Sequence, residues 1–158
     1  MERPNRTTSG LGMLMAFCIG CPSPQPERGA SPAPPTSAAP PAADAENAAG
    51  DVAQAWLVLV DGGRYDDSWD AAAGVFRKAV ERGTWKQQMD ALRAPLGSLH
   101  SRRLKSAQYR TSLPGAPDGE YVVIQYESSF SGKATAVETV TPMKDTDGRW
   151  HVSGYYIR

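Results

Sequence analysis

The sequence predicts an α+β domain, with about three N-terminal helices packed on a curved four-stranded antiparallel sheet. Three observations carry this. Apolar residues recur at helical spacing from Val52 to Leu92, the pattern turns to alternation after Glu120, and short Gly-bearing turns separate the alternating runs. Turns that short join antiparallel neighbours, and helices followed by a meander pack as two layers.

Val52, Trp56, Leu59 and Val60 share a helical face, and Gly62-Gly63 closes that helix. Asp44 to Ala49 extends it backward, because Ala is a strong helix former. Tyr65, Trp69, Ala72 and Ala73 begin a second stripe that runs raggedly through Val75, Phe76, Ala79 and Val80 to a break at Gly83. Thr84-Trp-Lys-Gln87 reads as a capping box for a third helix, with Trp85, Met89 and Leu92 on one face and Pro95 and Gly97 at its end. Leu99 to Ser112 is extended and charged, and Leu113 to Gly119 is a turn cluster. From Glu120 to Phe130, Val122, Ile124, Tyr126, Ser128 and Phe130 fall on one side. Ser131-Gly132 turns the chain into a Thr- and Val-rich strand, Ala134 to Met143. Asp145 to Gly148 turns it again into Trp150 to Ile157.

Eight of the thirteen prolines lie between Pro22 and Pro41, so the folding unit of this 158-residue chain is residues 51–158. That span holds fourteen Lys and Arg against thirteen Asp and Glu, a formal charge of +1, which gives no reason to expect nucleic acid. Arg93, Arg102, Arg103, Lys105 and Arg110 lie in an acid-free stretch, whereas Asp61, Asp66, Asp67 and Asp70 cluster upstream. These read as a solvated strand and a solvated helix start, the alternative being a patch for an anionic partner.

Residues 1–20 run from a basic stretch (Arg3, Arg6) through the short apolar run Leu11–Ile19 to Gly20, the order of a signal peptide. Nine apolar residues cannot span a bilayer as a helix. Cys18-Ile19-Gly20-Cys21 resembles a bacterial lipoprotein signal, which implies a lipid on Cys21 and cleavage before it. Pro22 follows the cysteine, so the same resemblance implies an outer-membrane lipoprotein facing the periplasm. Cys18 and Cys21 lack the βαβ setting of a redox pair and the further ligands of a zinc site. Residues 21–50 are a Pro/Ala-rich disordered tether, too poor in apolar bulk to offset the entropy of ordering.

The helix bearing "AQAWLVLVDGGRYDDSWDAA" and the closing strand "DGRWHVSGYYIR" resemble the nuclear transport factor 2-like, or cystatin-like, α+β cone. More narrowly, "LRAPLG", "RRLKSAQYRTSLPGAPDGEYVVIQY" and "AVETVTPMKDTDGRWHVSGYYIR" resemble the bacterial domain-of-unknown-function 4019 family. That resemblance implies a fold and no activity, since such cones carry enzymes, ligand pockets and partner platforms alike.

Candidate chemistry is sparse. Glu138 shares a strand side with Ala136 and Val140, which makes it a buried carboxylate if that side is the inner one. A structural Glu138 would pair with Arg103 or Lys105 on a neighbouring strand. A catalytic Glu138 would act with Tyr126 as acid and base in an isomerase-like or dehydratase-like cone. That requires a cavity, no Arg or Lys partner, and a hydroxyl within reach. His100 and His151 are the only histidines and read as solvent-facing strand residues. With no thiol left after cleavage, neither a metal site nor a cofactor is expected. Asp66, Asp67 and Asp70 suit a helix start, the four tryptophans read as core, and Ser68, Ser128 and Ser129 lack a nucleophile elbow. Tyr126, Tyr155 and Tyr156 fit either a pocket mouth or the core edge. The leading reading is a non-enzymatic envelope domain, anchored through Cys21 and binding a partner protein or a small ligand. Tyr and Val on both strand sides also permit a homodimer.

Overall fold

A computed structural model describes residues 40–158. The signal-like segment, both cysteines and most of the Pro-rich run lie outside the described residues. Four helices precede four strands: α1 (Pro40–Asp61), α2 (Tyr65–Asp70), α3 (Gly74–Ala79), α4 (Arg82–Arg93), β1 (Leu99–Arg110), β2 (Tyr121–Phe130), β3 (Lys133–Lys144) and β4 (Trp150–Ile157). The strands form one open antiparallel sheet in sequence order, β1-β2-β3-β4.

α1 starts at Pro40 and so takes in the last eleven residues, 40–50, of the segment expected to be tether. A buried stripe of Ala49, Ala53, Trp56, Leu57 and Val60, on one helical face and already fully buried at Ala49, carries the helix back past residue 51. Gly63 then takes a left-handed conformation, and the Arg64 N–H donates to the Leu59 carbonyl at 2.8 Å.

The expected second helix is two short ones. Ala72 forms a parallel bridge with Val152 of β4, and the Ala73 N–H donates to the Val152 carbonyl at 2.8 Å. Backbone committed to the sheet cannot continue a helix, so the ragged stripe breaks there. The Asp145 carboxylate accepts the Gly74 N–H at 2.7 Å, tying the β3–β4 turn to the start of α3.

The capping box expected at Thr84–Gln87 does not form. α4 begins at Arg82, and the Trp85 N–H donates to the Glu81 carbonyl at 2.9 Å, so Thr84 lies inside the helix. Gly83 is tolerated in the first turn, where backbone N–H groups have no partners within the helix.

The core lies between the helices and one sheet face. On β2 the expected side is the inner one: Val122, Ile124, Tyr126, Ser128 and Phe130 are all buried. Trp56, Trp85 and Tyr155 pack ring against ring at its centre. Ser68 supports both tryptophans, its carbonyl accepting from the Trp56 indole at 2.8 Å and its hydroxyl from the Trp85 indole at 3.0 Å. At the far end, the β2–β3 turn docks on the loop after α4. The Gly132 N–H donates to the Leu96 carbonyl at 2.8 Å, so close that a Cβ at Gly132 would collide with the Pro95 carbonyl.

Candidate functional site

A polar cluster interrupts the apolar layer where the ends of α1 and α4 meet the sheet. Glu138, on β3, is fully buried. Its Oε1 accepts from the Tyr155 hydroxyl at 2.7 Å, from Arg102 Nη2 at 3.0 Å and, more loosely, from Arg93 Nη1 at 3.5 Å. Its Oε2 accepts from Arg102 Nε at 2.7 Å and the Ser128 hydroxyl at 2.5 Å. Asp61, the last residue of α1, completes the cluster. Its Oδ1 accepts from Arg93 at 2.6 Å, and its Oδ2 from Arg102 at 2.6 Å. Two guanidinium groups face two carboxylates, so the formal charges cancel.

Arg102 is the centre of this arrangement, since its planar fork engages both carboxylates at once. Desolvation works against its charge, but the hydrogen bonds and charges of Asp61 and Glu138 outweigh that, and its pKa is raised. Burial, then the charge of Glu138, raises the Tyr155 hydroxyl as well, so Tyr155 acts as a proton-holding donor. Arg93 also stacks over the Phe130 ring at 4.8 Å. The cluster joins α1, α4 and all four strands.

Glu138 is thus the inner-facing carboxylate the alternation suggests, but its partners differ from those expected. Arg103 and Lys105 face the other side of the sheet and pair with Glu127. Tyr126 stands opposite Glu138 in register, yet the hydroxyls that reach the carboxylate are those of Tyr155 and Ser128. The buried Tyr126 hydroxyl has no partner among the described residues. Burial raises its pKa first, Glu138 adds to that and Arg102 opposes it.

Sequence spacing alone does not point to five of the cluster's members as partners of Glu138: Asp61, Arg93, Arg102, Ser128 and Tyr155. Arg93 did leave a signal, since it continues the buried spacing Trp85, Met89, Arg93, while Leu92 is substantially exposed. His100 is exposed. His151 is only partly so, bonding to Asp147 at 3.0 Å and the Ala71 carbonyl at 3.3 Å, because the α2–α3 connection folds over β4.

Beside the cluster, two adjoining grooves run between α1 and β1, of about 500 Å³ and about 280 Å³. Both are lined by Gln54, Leu104 and Tyr126. Among the described residues no group of three or more His, Cys, Asp and Glu side chains is placed to hold a metal ion, and no helix is long and apolar enough to cross a membrane.

A family model described as "Protein of unknown function (DUF4019)" matches residues 52–155. No curated protein and no solved structure matches the chain.

Proposed function

The chain belongs to the DUF4019 family, whose description assigns no activity, and from its own residues we propose that it is a non-catalytic binding domain of the bacterial cell envelope. The observation that carries the reading is the occupancy of Glu138. A general base needs a lone pair directed at a substrate proton. Both Glu138 oxygens are taken by two arginines and two hydroxyls, in a fully buried position. The isomerase-like or dehydratase-like alternative requires that carboxylate to be free of Arg and Lys, and nothing in the cluster favours it. Helices on one face of the sheet support the cone resemblance, but such cones carry enzymes, ligand pockets and partner platforms alike, so the choice rests on Glu138.

Location rests on the sequence. Cys18-Ile19-Gly20-Cys21 supports a lipid on Cys21, and the Pro/Ala-rich run after it supports a tether holding the domain off an outer membrane. Expression of the full chain and of Cys21→Ala in a Gram-negative host tests this. The expected result is an acylated mature N-terminus in the membrane fraction, lost in the variant. An intact N-terminus and soluble protein in both would overturn the envelope assignment.

A further inference from the structure

We infer that the paired grooves between α1 and β1 bind a small amphipathic ammonium compound, with its apolar body over Leu104 and Val58 and its cationic end toward Glu46 and Asp51. The inference rests on the binding reading above but not on the lipid anchor.

Three observations converge. The first is Gly50, which lines the larger groove in the middle of α1. Glycine is the weakest helix former after proline, and a Cβ added here would meet nothing within 4 Å. The fold therefore gives no packing reason for a glycine, whereas its absent side chain keeps the groove wall open. The second is Tyr126, which lines both grooves and whose buried hydroxyl lacks a partner among the described residues. Buried polar groups are nearly always satisfied, so an orphan beside the grooves marks a place where a partner is missing. The third is apolar exposure at the smaller groove, where Val58 is 67% and Leu104 59% exposed.

Charge selects the ligand class. Asp51 makes no ion pair among the described residues, and Glu46 spends one oxygen on the Tyr109 N–H and keeps the other. Among the described residues, the one cation on the groove wall, Arg102, is already neutralised by Asp61 and Glu138. Among the described residues the larger groove thus carries uncompensated negative charge from Glu46 and Asp51, and the smaller offers apolar surface at Leu57, Val58 and Leu104.

The test is titration of the full chain bearing Cys21→Ala with octylamine, octanol and octanoate, followed by NMR of the backbone and side-chain amides. Saturable shifts at Gly50, Gln54 and Leu104 are expected with octylamine, with octanoate weaker by about tenfold or more. Gly50→Leu fills the groove and should abolish the shifts while leaving the melting temperature unchanged or raised. Tyr126→Phe should leave the melting temperature unchanged or raised, since it removes an unsatisfied hydroxyl. Equal binding of octylamine and octanoate would overturn the charge argument, and undiminished binding by Gly50→Leu would overturn the site. Saturable shifts elsewhere would overturn the groove but keep the binding reading. A concentration-dependent dimer in sedimentation, dissolved by Leu104→Glu, would place a second copy in the groove and overturn the small-ligand assignment.

Discussion

Two glutamates one register step apart on neighbouring strands show how differently the two faces of this sheet use the same chemistry. Glu127, on β2, lies opposite Val137, and Glu138, on β3, lies opposite Tyr126. Each meets basic residues of β1: Glu127 has Arg103 and Lys105, and Glu138 has Arg102 with Arg93 behind it. Glu127 and its partners stand in solvent, where water competes for every bond and salt screens the charges. Glu138 has no water to fall back on, so its partners are obligatory once it is buried. The lesson concerns burial rather than pairing: the inner cluster is a constraint on the fold, and the outer one is close to neutral.

The sharpest way to break this comparison is to remove one carboxylate on each face. Glu138→Gln leaves two buried guanidinium groups sharing Asp61 alone, and should cost about 3–5 kcal/mol in urea denaturation. If instead it unfolds at the wild-type midpoint, the inner cluster is no more binding than the outer one. Ser128→Ala removes one hydroxyl donor to the buried charge and should cost about 1.5–3 kcal/mol. Arg102→Lys should also lower the urea midpoint, since one ammonium cannot reproduce a fork spanning two carboxylates, while Arg103→Lys should leave it unchanged.

The smallest effect is expected at Glu127→Gln, whose midpoint at neutral pH should lie only slightly below wild type, with the gap closing in high salt. Its pH dependence has a definite sign. Hydrogen bonds and charge from Arg103, then Lys105, hold the Glu127 carboxyl below its ordinary 4.5. The contribution is therefore present in full above that value and fades as the pH falls through the lowered one. Acid titration of wild type against Glu127→Gln should show the two curves converging below pH 4.5; a gap that widens there would reverse the assignment.

Most of the sheet was legible because β2 alternates without interruption, so the side of Val122 fixes the side of Phe130. The cluster was harder for a physical reason on β1. Arg102 and Arg103 are adjacent, and which one faces inward depends on register. The pairing with β2 shifts between Leu99 and Ser101 and again between Leu104 and Ser106. Each shift inserts a residue that alternation cannot count. The α2–α3 break was illegible for a similar reason, since it comes from a bridge to Val152, eighty residues downstream of Ala72. Arg93 was legible in principle, as an arginine on an apolar stripe.

The bond from the Tyr109 N–H to Glu46 has a consequence for timing. Tyr109 lies on β1, an edge strand, and its amide is satisfied by a side chain from the early turns of α1 at 2.9 Å. Edge amides otherwise invite another chain to pair. The amide is released to solvent when the Glu46 side chain swings away or those turns come loose, events that need not unfold the rest of the domain. Its deuterium uptake is thus a clock for the loss of the Glu46 cover, and the same interval sets how long this stretch of edge is open to a passing strand.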